Sequence, residues 1–192
     1  MSTIDLPGFS DPVTDAQGCF RAVLDAMARP GRVHEAGVGL TPPAPLAPAS
    51  AAVLLTLVDH ETPLWLDPDA TASREWIAFH CGAPLATGPE ACAFALALSL
   101  PAVAGLPAGS HEAPERSATI ILQVRAFESG RHFRLEGPGL REPTVLAIDG
   151  LPDDFVGVWD QNRARFPLGI DIILCAGTRL AALPRSVTVR EA

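Results

Sequence analysis

The sequence contains no lysine and no tyrosine. All 14 of its basic residues are arginines. Without a side-chain amine, no internal Schiff base can form to pyridoxal phosphate or to a carbonyl substrate. A Walker A phosphate loop and protein-kinase chemistry both need a lysine, so both are excluded. Positive charge is scarce as well: 14 arginines face 22 Asp and Glu, a formal net charge of −8. That balance argues against nucleic acid or an anionic membrane as the main partner. Cysteines number four, Cys19, Cys81, Cys92 and Cys175. None forms a Cys-x-x-Cys pair or a metal knuckle. Cys19, Cys92 and Cys175 sit in apolar stretches and read as small buried hydrophobes. The longest apolar run, Ala91 to Leu100, is too short to span a bilayer. Residues 1–10 carry no basic stretch followed by an apolar one, so no signal peptide is read there. The expectation is a cytoplasmic protein with reduced thiols and no metal site.

Apolar residues make up 48% of the 192, enough for one domain with a real core. The reading is a single domain over 1–192, with 1–10 as a mobile arm. Asp15 reads as the cap of a first helix whose Phe20, Val23, Leu24 and Met27 recur at helical spacing. Pro30-Gly31 stops it. Ser50 reads as the cap of a second helix through Val53, Leu54 and Leu57. Leu64-Trp65-Leu66 reads as a strand, and Thr71 to His80 as a third helix. Pro84 to Thr87 reads as a short strand. Ala93 to Leu100 fits strand or helix, since period alone does not decide a short apolar run. Ala118 to Val124 is β-branched and apolar on both faces, the pattern of a covered central strand. Ser129-Gly130 reads as the turn of a hairpin leading into His132 to Glu136. Thr144 to Ile148 is another strand. Asp153 or Asp154 caps a helix with Phe155, Val158, Trp159 and Asn162 on one face. Gly169 to Cys175 is a second buried strand, and Arg179 to Leu183 its hairpin partner. Helices flanking two-sided strands predict a three-layer α/β/α sandwich with a mixed sheet.

Chemistry is harder to find. Asp59-His60-Glu61 gathers three titratable groups but reads as a polar turn, because sequence neighbours rarely converge on one ion. His80 closes a helix, where a structural histidine gains from the helix dipole. His34, His111 and His132 carry no spacing signal. Gly137-Pro138-Gly139 reads as a turn. Arg29 and Arg32 bracket Pro30-Gly31 as a surface pair or an anion clamp. No Gly-x-Ser-x-Gly elbow and no Gly-x-Gly-x-x-Gly after a strand occurs.

An ordered series of segments carries more. It runs from Phe20-Arg21 and Met27-Ala-Arg-Pro-Gly31 through Val53-Leu-Leu-Thr-Leu-Val-Asp59 and Thr62-Pro-Leu-Trp-Leu66. Phe79-His80, Ala83-Pro84, Glu115 and Ala118-Thr-Ile-Ile-Leu-Gln-Val124 follow. Phe166-Pro-Leu-Gly-Ile-Asp-Ile-Ile-Leu174 and Leu183-Pro184-Arg185 end it. In their order and spacing these segments resemble the PhnH family, one of the subunit families of the bacterial carbon–phosphorus lyase system. The resemblance covers nearly the whole chain.

The resemblance implies a fold like the large domain of pyridoxal-phosphate-dependent transferases, without the cofactor. It implies a homodimer built into a complex with partner subunits G, I and J. That complex transfers an alkylphosphonate onto the ribose of a nucleoside triphosphate and displaces the base, as an alpha-D-ribose 1-methylphosphonate 5-triphosphate synthase. The PhnH chain is a required component, not catalytic alone. The family pattern carries Asp59, His80, Glu115, Asp171 and Arg185 onto matching positions, while His60 and Arg29 are not fixed by it. Asp59, His80 and Glu115 are the catalytic candidates, and Arg185 and Asp171 the ligand-binding ones. Two hypotheses follow: a non-catalytic assembly subunit, or a nucleotide- or phosphonate-binding or catalytic subunit that uses arginines with Asp59 and His80.

Overall fold

The computed structural model describes residues 5–192. The first helix, α1 (Pro12–Ala28), begins earlier than Asp15. Asp11 caps it by accepting the Thr14 N–H at 3.2 Å, and Pro12 stands where its missing N–H costs nothing. Asp15 reaches back to the Asp11 N–H at 3.0 Å. The buried stripe is Cys19, Val23 and Ala26. Phe20 and Leu24, which recur with Val23 at helical spacing, are 45% and 52% exposed. Small residues let α1 approach the sheet closely, so they take the inner face although the larger apolar ones share the helix.

A short strand, β1 (His34–Glu35), is followed by α2 (Pro48–Leu57). The cap residue of α2 is Ala47, not Ser50. Ser50 is fully buried in the helix, and the cap comes from elsewhere: Gln123 Oε1 accepts the Ala47 N–H at 2.6 Å. Next come β2 (Leu64–Leu66), a 3-10 turn over Pro68–Ser73 and α3 (Arg74–Cys81). Pro84 to Thr87 contributes only an isolated bridge between Leu85 and Leu64. The ambiguous apolar run resolves as a strand, β3 (Phe94–Ala97). The remainder is β4 (Thr119–Gln123), β5 (Ala126–Glu136), β6 (Thr144–Asp149), α4 (Phe155–Arg163), β7 (Asp171–Ala176), β8 (Arg179–Leu183) and β9 (Thr188–Glu191).

The main sheet has the order β1-β8-β7-β4-β3-β2. Strands β2, β3, β4 and β7 are parallel, while β8 and β1 join antiparallel. The fold is therefore α/β with a mixed sheet, as expected. Strand β4 lies centrally, and alternate residues feed two cores. Ile121 packs with Leu96, Ile173 and residues of α1, α2 and α3. Ile120 and Leu122 face the other way, into a cluster with Ile172, Leu174, Phe133, Leu146, Phe155 and Trp159.

That second layer corrects the expected all-helix cover. It combines α4 with a three-stranded antiparallel sheet, β6-β5-β9. The β4–β5 hairpin is corrected too, because β5 pairs with β6 and β9 and leaves β4 to the main sheet. Ser129-Gly130 sits inside β5 at a register shift between Phe127 and Arg131. There Glu128 and Gly130 adopt φ of 67° and 79°, the left-handed geometry a bulge absorbs. Asn162 ties α4 to the start of β7, donating to the Ile170 carbonyl and accepting its N–H, both at 2.9 Å.

The expected arm falls partly outside the described residues, at 1–4. Its remaining part lies against α3: the Leu6 carbonyl accepts from Trp76 Nε1 at 2.9 Å and lies 3.1 Å from His80 Nε2.

Candidate functional site

Three of the five family-pattern residues gather at the amino ends of β4 and β7. Asp171 is the first residue of β7, and Arg185 follows β8 one residue beyond Pro184. The β7–β8 hairpin returns Arg185 to the end where Asp171 starts. The Arg185 Nε lies 3.2 Å from both Asp171 oxygens, and Nη2 donates to Oδ2 at 2.5 Å. Nη1 donates to the Pro114 carbonyl at 3.0 Å and approaches that of Pro167 at 3.5 Å. Nη2 also donates to Ser117 Oγ. A guanidinium has five N–H groups, and each nitrogen here is already engaged with protein. The two side chains are only 14% and 19% exposed. Glu115 stands next to Pro114 in the 3-10 turn Pro114–Arg116 and is exposed. What this cluster does chemically is fasten the loop before β4 to β7 and to the chain after β8.

Asp59 lies elsewhere. It precedes β2, three inter-strand spacings from β7 or about 14 Å across the sheet. Its Oδ1 accepts the Glu61 N–H at 2.9 Å and the Thr62 hydroxyl at 3.1 Å. These bonds, the Glu61 amide first, hold its pKa below the usual 3.8. The Asp59-His60-Glu61 turn is exposed, with His60 Nε2 4.0 Å from Glu61. It is the polar turn the sequence suggested.

His80 is held rather than free. A carbonyl only accepts, so the Nε2 that faces Leu6 carries the ring proton, and Nδ1 is left facing Gly8. The ring packs 4.6 Å from Trp76 and edge-on to Phe79 at 5.0 Å. It forms one wall of a cavity of about 260 Å³ with Gly8, Phe9 and Leu55.

Arg29 and Arg32 both turn toward Asp25, Arg32 at 3.7 Å, and His34 Nε2 stands 3.1 Å from the same carboxylate. The anion they clamp is therefore internal. The Gly137-Pro138-Gly139 turn rests on the end of α1, and a side chain at Gly139 would run into the Ala28 carbonyl. His111 and His132 are exposed. Among the described residues no cluster of His, Cys, Asp and Glu is arranged to hold a metal, and no helix is long and apolar enough to cross a membrane. The sequence placed Asn162 on the packed face of its helix, as found, without its bonds to Ile170, and did not single out Ser117, Gln123 or Asp25. Ser117, Gln123 and Asn162 bond to partners that the fold alone brings near, whereas Asp25 has a local signal, its i,i+4 spacing to Arg29.

What fold and polar network define is an α/β domain in which Asp171, Arg185, Asp59 and His80 are bound to the protein itself, while Glu115 stands exposed. The chain matches the model of the PhnH family, "Bacterial phosphonate metabolism protein (PhnH)", over residues 7–190. It is 43% identical over 188 residues to a Rhizobium meliloti (strain 1021) protein named "Alpha-D-ribose 1-methylphosphonate 5-triphosphate synthase subunit PhnH". That alignment covers 95% of this chain and 94% of the relative. A "Putative C-P lyase subunit protein HtxG" from Stutzerimonas stutzeri is 35% identical over 181 residues, covering 90% of this chain and 85% of the relative. The chain belongs to the PhnH family of bacterial phosphonate metabolism proteins.

Proposed function

We propose that the chain is the PhnH-type subunit of a carbon–phosphorus lyase core complex. In that complex it supports transfer of an alkylphosphonate onto the ribose of a nucleoside triphosphate with loss of the base, the reaction of an alpha-D-ribose 1-methylphosphonate 5-triphosphate synthase. The observation that carries this is the end-to-end match to a relative bearing that name, at 43% identity. The internal engagement of Arg185 and Asp171 fits a structural role for these residues. Its partners are a second copy of itself and subunits G, I and J, in the cytoplasm. We further propose that its sheet resembles the large domain of pyridoxal-phosphate-dependent transferases and works without that cofactor. The chain has no lysine to hold it.

Deletion and complementation test the reading. A strain that uses methylphosphonate as its sole phosphorus source should lose growth when its PhnH gene is removed. Growth should return when this chain is supplied. Failure of a well-expressed chain to restore growth counts against the proposal.

A further inference from the structure

Strand β2 ends in a cleft on the outer edge of the main sheet. In the β2–β3 ladder, Phe94 N–H donates to the Pro63 carbonyl and Asp67 N–H to that of Leu96. This register directs the N–H and C=O of Trp65 toward β3 and those of Leu64 and Leu66 outward. Leu64 is satisfied: its N–H donates to Pro84 and its carbonyl accepts from Ala86, both at 2.9 Å. The next rung, Leu66 N–H to the Ala86 carbonyl, is not made, because the chain bends away at Thr87-Gly88. Leu66 thus keeps an adjacent donor and acceptor with no partner among the described residues.

This edge opens on a cavity of about 370 Å³, lined by Trp65, Leu66, Thr71, Arg74, Leu85 and Thr87 among others. No carboxylate lines it. Arg74, the first residue of α3, makes no ion pair among the described residues. The nearby Asp67 carboxylate is occupied by the N–H groups of Asp69 and Leu98, each at 3.0 Å. The Thr71 hydroxyl donates to the Pro68 carbonyl. The Thr87 hydroxyl makes no such bond among the described residues.

We propose that this cleft binds a small anionic heterocycle, with a purine nucleoside monophosphate as its representative. The donor–acceptor pair of Leu66 matches the edge of a nitrogen heterocycle that offers an acceptor beside a donor. Trp65, packed against the core on one face of the sheet, and Leu85, packed against the core on the other, flank the ring with apolar surface. Arg74 takes the anionic group through its planar fork, assisted by Thr87. The volume lies within the range of small-molecule sites. An added peptide strand fits less well, because Pro84 to Ala86 already holds the edge beside Leu66 and leaves one residue to pair with.

The test is an amide NMR titration of the isolated chain with AMP, adenosine and an acidic peptide. AMP should bind saturably, with Leu66 and Thr87 amides among the largest shifts. Arg74→Gln should weaken AMP about tenfold or more and leave adenosine unchanged. Arg74 is exposed, and Thr87→Val offers a second variant that should weaken AMP. Three outcomes overturn the proposal: no saturable AMP binding at millimolar concentration, equal affinity in Arg74→Gln, or shifts centred away from β2. Peptide binding at Leu66 without AMP binding overturns it in favour of strand addition. The assignment rests on the geometry of this cleft, so none of these outcomes bears on assembly with partner subunits.

Discussion

Arg185 grips Asp171 from two directions. Its backbone N–H donates to Oδ1 at 2.7 Å, while its guanidinium returns to Oδ2 at 2.5 Å. The same side chain holds the Pro114 carbonyl and the Ser117 hydroxyl, so one residue joins segments up to 71 positions apart.

Removing it should destabilise the fold before it affects any ligand. Arg185→Ala leaves a largely buried Asp171 carboxylate with one bond from the main chain. The cost should be about 2–4 kcal/mol, toward the low end for a pair that keeps some solvent. At this chain length that corresponds to a Tm drop of roughly 5–15 °C. Scanning calorimetry checks it. An unchanged Tm would mean that the cluster is not structural.

How much of this was legible in the sequence varies by element. Strand β4 was legible because apolar residues at both parities leave a strand only one place, between two layers. What the second layer consists of was not. Ser129-Gly130 has the composition of a two-residue turn, and the same composition also makes a bulge. Only the pairing of β5 with β6 distinguishes them. Along α1, periodicity located an apolar stripe but missed which side packs, since Cys19 and Ala26 win on size. Among the candidate residues, the Asp59 turn was readable as local chemistry. The convergence of Asp171, Ser117 and Arg185 was not, because the fold alone brings these positions together.

Acid should weaken the α1–β1 corner through His34. Burial lowers the His34 pKa below its usual 6.5, and repulsion from Arg32 and Arg29 adds to it. Asp25 opposes this, but it is already shared with both arginines. The folded state therefore prefers the neutral ring. Its contribution is complete above the unfolded pKa of 6.5 and falls away as pH drops toward the lower folded pKa. His34→Gln should flatten the loss of stability between about pH 7 and pH 5. Denaturant unfolding at several pH values measures this. Parallel curves for both proteins would contradict it.

The thiols should be inert in the native protein. Burial pushes Cys81 and Cys175 up to about 12 and raises Cys19 and Cys92. At pH 8 a pKa near 12 leaves roughly one thiolate in 10,000. An aromatic disulfide reagent should react slowly with native protein and promptly with all four cysteines in denaturant. Fast native labelling of any one of them would show that its surroundings open readily.

Ile121→Asp should abolish soluble folding. Ile121 is fully buried between Leu96 and Ile173, and a carboxylate there has no partner. The penalty should exceed roughly 4 kcal/mol. Val145→Asp on β6, where the side chain is 51% exposed, should remain soluble and serves as the control. A well-folded Ile121→Asp protein would contradict the central placement of β4.

The most direct measurement is co-purification. The chain should be co-expressed with the partners proposed for it, subunits G, I and J of a carbon–phosphorus lyase system, and the complex captured through a tag on the first of these three. This chain should elute with the tagged complex in stoichiometric amount through size exclusion. Elution of the other three as a complex, with this chain left behind as a free and folded protein, would contradict its role as a core subunit.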